Sequence, residues 1–262
     1  MLSLSNVSIT FNKNTVNERK ALSSFSLDIN QGDFVTVIGS NGAGKSTLMN
    51  VVCGTYGVDS GHIYIDDRDI TKLKEYQRAK FIGRLFQDPL KGTAPNMTIE
   101  ENLGLAYGRG KKRTLAFGIS KKDIAFFKEK LADLGLGLED RMKTPVGLLS
   151  GGQRQALTLM MATIVTPKLL LLDEHTAALD PKTAEKVMEI TDKIVKENNI
   201  TTLMITHNIK NALDYGNRTI VLSQGKLLMD ITGEDRRNMT TEKLMQLYSS
   251  SGAEQMTDKM LL

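Results

Sequence analysis

Two alternating stretches open the chain. In LSLSNVSITF (2–11) and ALSSFSLDI (21–29) apolar and polar residues alternate, as in strands with one face on a core and one in water. The polar, turn-rich NKNTVNERK separates them. FVTVIG (34–39) is a compact apolar strand, followed by the glycine-rich SNGAGKST and the helical run LMNVVC. HIYIDD (62–67) predicts a further strand, Thr71 to Phe81 a helix, IGRLFQ (82–87) a strand and DPLKGTAPN a loop. The middle is helical. Thr98 with Glu101, and Ser120 with Asp123, have the spacing of capping boxes. Ile124, Phe127, Leu131 and Leu134 share one helical face that stops at Gly135. From Ser150 on, helix and strand alternate: GGQRQALTLMMATIV, KLLLLD, PKTAEKVMEITDKIVKE, ITTLMIT, a short helix NIKNALDYG and the strand RTIVLS. LLMDIT and TTEKLMQLYS close the chain before a loose final dozen residues. Repeated β-α-β units with continuous apolar strands mean a parallel sheet covered on both faces.

The expected fold is therefore α/β, with an N-terminal antiparallel β subdomain and an inserted helical subdomain. Its divisions are 1–87 for the first part of the core, 88–150 for the helical insertion, 151–232 for the second part of the core, and 233–262 for a C-terminal helix and tail.

Composition narrows the class. Of 262 residues 40% are hydrophobic and 24% charged, ordinary usage for a water-soluble globular chain. The N-terminus carries no basic, then long apolar signal pattern, and no apolar run approaches a membrane span. The single cysteine, Cys53, excludes an internal disulfide and reads as a small buried hydrophobe on a helix. A net charge of +4 and 5% aromatic residues without tryptophan argue against a nucleic-acid partner. One local excess stands out: Arg109, Lys111, Lys112, Arg113, Lys121 and Lys122 lie in GRGKKRTLAFGISKK without an acid. The run reads as a solvated loop, with contact to anionic lipid headgroups as its alternative.

Chemistry enters at Gly39, Ser40, Asn41, Gly42, Ala43, Gly44, Lys45 and Ser46, which match G-x-x-x-x-G-K-[ST] between a predicted strand and a helix that continues through Thr47. Glycines let backbone amides turn inward around phosphates, and the helix N-terminus adds positive potential. Lys45 then reaches the β- and γ-phosphates of ATP, and the Ser46 hydroxyl ligates Mg²⁺. Four leucines run into Asp173 and Glu174; a buried strand ends in paired charge only where that charge has partners. In a phosphate-loop NTPase the first carboxylate helps hold Mg²⁺, so Asp173 takes that role. Glu174 points elsewhere, because successive strand side chains alternate, and is placed to orient or deprotonate a water. Leu149-Ser150-Gly151-Gly152-Gln153 is a second helix-start anion site. One nucleotide does not need two such sites in one chain, so this one closes over ATP held by a second subunit.

The order GSNGAGKST, LFQDP, LSGGQ, LLLLDE, ALD, ITHN resembles the ATP-binding subunit of an ABC transporter over roughly residues 2–230. The resemblance implies a phosphate-loop NTPase core and two subunits, identical or paralogous, sandwiching two ATP molecules head to tail. Gln87 matches the glutamine that senses Mg²⁺ and water, and His207 the switch histidine at the γ-phosphate. Asp180, a natural helix N-cap before Pro181, gains a role across the dimer interface. Phe11 matches the aromatic that stacks on adenine. Further implied are an integral membrane permease, an indirect substrate-binding lipoprotein and a place on the cytoplasmic face of the membrane. MTIEENLGLA (97–106) resembles the branch serving amino-acid importers, and EHTAALDP an importer group associated with substrate-binding lipoproteins. The chain departs from the family at His175, where proline is usual, and at Ala177-Ala178, where a serine is common. A soluble ABC-type ATPase, such as one for iron–sulfur cluster assembly, is the alternative function. Single copies of each motif argue against a fused translation factor, and no sustained heptads suggest a repair protein.

Overall fold

In chain order the elements are β1 (Leu2–Phe11), β2 (Arg19–Ile29), β3 (Phe34–Ile38), α1 (Lys45–Cys53), β4 (Ser60–Ile65), β5 (Arg68–Asp69), α2 (Glu75–Arg78) and β6 (Ile82–Leu85). Then come α3 (Ile99–Tyr107), α4 (Lys121–Ala132), α5 (Gly151–Thr163), β7 (Leu169–Asp173), α6 (Pro181–Glu197) and β8 (Thr201–Ile205). The chain ends with α7 (Ile209–Asp214), β9 (Arg218–Ser223), β10 (Lys226–Thr232), α8 (Gly233–Arg237) and α9 (Thr241–Ser250). This computed structural model describes residues 1–110 and 118–250; Lys111, Lys112, Arg113 and the loose tail lie outside the described residues. The described residues form two compact units, one of residues 1–78 with those from 200 onward, the other of those between 79 and 199.

In the first unit β1 is flanked by antiparallel β2 and β4, with β5 beyond β4. Leu2 and Leu4 face the core, but the alternation slips by one residue before Val7 and Ile9. A register break between Leu4 and Val7, with Asn6 at φ 51°, absorbs the slip. A one-residue slip would otherwise turn every later side chain to the wrong face. β3 is buried along its whole length and pairs in parallel with β8 and β9, which is why it reads as apolar throughout but for Thr36, whose hydroxyl donates to Ala212 O. β9 returns through a two-residue turn into β10; Gln224 and Gly225 both have positive φ, the type I′ requirement.

In the second unit β6 and β7 pair in parallel, Ile82 opposite Leu169 through Leu85 opposite Leu172. Both expected capping boxes form, at Thr98 for α3 and Ser120 for α4. Phe127 and Leu131 fill the buried face of α4. Among the described residues no helix is long and apolar enough to cross a membrane. The fold class is α/β as expected, with parallel strands, an N-terminal antiparallel sheet and a helical insertion.

Two predicted elements are clearly shorter than expected, and two, β5 and α8, are new. The helix expected over 71–81 is confined to Glu75–Arg78. Its first residues are drawn to β4, where Ile70 N–H donates to Ile63 O and Ile63 N–H to Thr71 Oγ1. The strand expected over 82–87 stops at Leu85. Pro89 has no N–H for a ladder, and Asp88 caps a short 3₁₀ turn over Pro89–Gly92. The five-residue α8 has no counterpart in the sequence reading.

Candidate functional site

The phosphate loop is built by close backbone approach. Gly39 has φ 152°, and a Cβ there would lie 2.3 Å from Leu222 O. Gly44, at φ 106°, would place one 2.7 Å from Ala21 O. Neither neighbour is a flexible side-chain tip, so any larger residue would push strand backbone away. The β9–β10 turn holds the loop from beside, with Gly225 N–H donating to Ala43 O at 2.9 Å. Arg19 donates to Gly42 O. Lys45 is 5% exposed and its Nζ donates to Gly39 O at 2.7 Å and Ser40 O at 3.1 Å. Thr98, Ser120, Ser150, Asp180 and Asn208 each cap a helix through a side-chain oxygen; Gly44, the N-cap of α1, offers none. The first turn of α1, with Ser46 and Thr47, is thus open to an external anion.

The same unit holds Phe11 and His207. Phe11 is half-buried at the end of β1, its ring 5.2 Å from that of Tyr56, edge to face. His207 is half-buried beyond β8, where Thr206 and Asn208 fix the turn: Asn208 N–H donates to Thr206 Oγ1, and Asn208 caps α7.

The second unit carries the carboxylates. Asp173 ends β7, and its Oδ2 lies 3.8 Å from Nη2 of Arg84, both side chains largely buried. The Arg84 guanidinium also lies over the Phe86 ring at 4.5 Å. The partner of Asp173 within its own unit is therefore an arginine, which the sequence reading missed; the signal was a charged residue inside the apolar run IGRLFQ. Glu174 has φ 46°, a left-handed conformation that costs a non-glycine residue on the order of 1–2 kcal/mol. His175 is 2% exposed and bonded through Nε2 to Thr191 Oγ1 at 3.3 Å; burial pushes its pKa down to about 4.

Ser150 caps α5, its Oγ accepting from Gln153 N–H while Gln153 Oε1 accepts from Ser150 N–H. The two glycines between them have different reasons. Gly151 is exposed, leaving room for close approach from outside. Gly152 is buried, and a Cβ there would fall 2.2 Å from Thr183 Cγ2, so it is required by packing against α6. Asp180 is the N-cap of α6; hydrogen bonds from Thr183 hold its carboxyl below the usual range. Gln87 is exposed, two residues past β6.

The basic stretch needs a correction. Arg109 does not belong to a solvated run: it is partly buried, and its Nη2 donates to Ala162 O at 2.9 Å and Val165 O at 2.6 Å, closing the end of α5. Lys121 and Lys122 are exposed in the first turn of α4.

The residues fit ATP on the observation that Gly44, the N-cap of α1, offers no side chain to the first-turn N–H groups, with the Lys45 ammonium held against the loop carbonyls of Gly39 and Ser40. They fit Mg²⁺ by donor chemistry. Among the described residues no cluster of three or more His, Cys, Asp or Glu can hold a metal by itself. Hydroxyl, amide and single carboxylate oxygens are the set Mg²⁺ takes when phosphates complete its shell.

Comparison with known proteins gives three concordant results. A family model described as ABC transporter matches residues 22–177. The "Tyrosine transport ATP-binding protein" of Clostridioides difficile is 45% identical over 248 residues, covering 95% of this chain and 98% of that protein. The "Phosphonates import ATP-binding protein PhnC" of Lactococcus lactis subsp. cremoris is 34% identical over 96% of this chain and 100% of that protein. Among solved structures, the dimeric post-hydrolysis state of the ATP-binding cassette MJ0796, bound to ADP and Pi, superposes with a TM-score of 0.74. It is 30% identical and covers 88% of this chain and 98% of its own.

Proposed function

The chain belongs to the ATP-binding proteins of ABC transporters, and from that membership we propose that it drives amino-acid import. It is an ATP hydrolase of the transporter class, working as a head-to-tail dimer with a membrane permease. The permease receives its cargo from a substrate-binding lipoprotein, and the ATPase sits on the cytoplasmic face.

In this reading the amides of Gly39 to Thr47 and the ammonium of Lys45 bind the phosphates. Phe11, braced edge-on by Tyr56, offers its ring to adenine. Ser46, Gln87 and Asp173 are the groups that hold Mg²⁺. When bound, the ion supplies positive charge to the β- and γ-phosphate oxygens. Glu174 takes the proton of the attacking water, and His207 contacts the γ-phosphate. Ser150, Gly151, Gly152, Gln153 and Asp180 close over the nucleotide of the partner subunit.

The observation that carries the amino-acid assignment is near-complete mutual coverage with the tyrosine transport relative at 45% identity. The phosphonate relative is more distant at 34%. Uptake of labelled tyrosine, methionine and a phosphonate by cells with and without the gene tests it. Tyrosine uptake is expected to fall to background without the gene and to return with the wild-type chain but not with Glu174→Gln. Unchanged amino-acid uptake with lost phosphonate uptake would contradict the assignment.

A further inference from the structure

Glu174 stands in a left-handed turn, its carbonyl accepting from Ala177 N–H at 3.0 Å. A carboxylate on such a turn keeps one direction only if the turn is fastened at both sides. On the far side the fastening is Asp180, whose carboxyl caps α6 through Thr183 N–H at 3.1 Å. On the near side it is His175. That ring is buried, and its Nε2 meets Thr191 Oγ1 at 3.3 Å, ten residues into α6. Thr191 is the polar member of an otherwise apolar buried face of that helix, with Val187, Met188, Ile190 and Val195. Its hydroxyl donates to Val187 O at 2.8 Å, so its oxygen is left to accept, and the histidine nitrogen donates. The segment from Glu174 to Asp180 is therefore strung between two points on one helix.

We infer that His175 and Thr191 form a positioning pair: their buried hydrogen bond clamps the turn to α6 and so aims the Glu174 carboxylate at its water. This rests on Glu174 being the base for hydrolysis. It assigns a task to a buried histidine that the hydrolysis reading does not otherwise use. A histidine that merely filled space would behave otherwise: loss of the Thr191 hydroxyl would leave turnover untouched.

Steady-state ATP hydrolysis by the full chain, with ATP binding measured separately, tests the pair through four single variants. His175→Ala and Thr191→Val are expected to lower kcat on the order of 10- to 100-fold, with ATP affinity held within about twofold. His175→Gln, whose amide can donate from nearly the same place, and Thr191→Ser should retain most of the activity. The double variant His175→Ala/Thr191→Val should be no slower than the slower single, because both remove one bond. In a Glu174→Gln background, His175→Ala should leave the residual rate unchanged. Wild-type kcat in Thr191→Val, losses that multiply in the double variant, or equal impairment of the Ser and Val variants would overturn the inference. If His175→Ala does not fold, the comparison of Val with Ser at 191 decides alone. Normal turnover by Glu174→Gln would instead remove the parent reading, whereas an inactive Glu174→Gln beside a fully active Thr191→Val removes only the clamp.

Discussion

Thr98 and Glu101 make the capping box that their spacing announces: Glu101 Oε2 accepts from Thr98 N–H at 2.7 Å and from its hydroxyl at 2.8 Å. Those bonds, the backbone one foremost, hold the Glu101 carboxyl below its ordinary value of 4.5. The folded state thus binds fewer protons here than the unfolded one. Its contribution is complete above the unfolded value and is lost as pH falls through the lowered folded one. Glu101→Gln keeps the box without the charge. The wild-type advantage over this variant in thermal unfolding should be largest near neutrality and shrink below about pH 4.5; an advantage constant with pH would contradict it. Local devices of this kind were legible because both partners lie within one turn of sequence. Ser120 with Asp123 and the Asp180 cap are others. His175, Arg84 and Arg109 were not legible in the same way. Their partners Thr191, Asp173 and Ala162 lie 16, 89 and 53 positions away. Sequence alone reveals that such a group needs a partner, not which one it finds.

Helices show a pattern that no motif search reads. α1, α5 and α7 begin at the phosphate loop, at Ser150 and next to His207, and each ends on an arginine from elsewhere in its own unit. Arg78 donates to Val51 O and Val52 O, Arg109 to Ala162 O and Val165 O, and Arg236 to Ala212, Leu213 and Tyr215 carbonyls. The last carbonyls of a helix lack intrahelical donors and sit at its negative end, so a planar cation with several N–H groups satisfies both needs. Burial lowers the pKa of each guanidinium, yet arginine stays charged. Arg236→Ala should cost about 2–3 kcal/mol, since three partly buried carbonyls lose their charged donor. That lowers Tm by roughly 4–12 °C for a chain of this size. Arg237→Ala, next along and exposed, should stay within about 0.5 kcal/mol. Equal effects of the two in a thermal melt would contradict the capping role. The strands were the more legible elements, because parallel burial leaves largely apolar runs, such as the four leucines before Asp173 and Phe34–Ile38 with its single threonine. Shortening of the predicted 71–81 helix came from pairing with β4, a tertiary contact outside any local window.

For the molecule as a whole, the residues proposed for the chemistry are divided between two units. The first carries the phosphate loop and His207, the second Gln87, the Ser150–Gln153 turn, Asp173 and Glu174. The motifs and their order were legible because phosphate binding demands glycines, a lysine and helix starts at fixed spacing. Cargo was not legible, since none of the motifs read from the chain recognises a transported molecule; the amino-acid reading rests on relatives. The central claim is that Glu174 uses the nucleotide held at Gly39 to Thr47 for hydrolysis while the bound nucleotide draws two chains together. Its most direct measurement is ATP turnover and size-exclusion behaviour of Glu174→Gln with MgATP. Abolished turnover together with an MgATP-dependent shift to a stable dimer is the predicted result. Turnover at the wild-type rate, or a monomer at saturating MgATP, would contradict it.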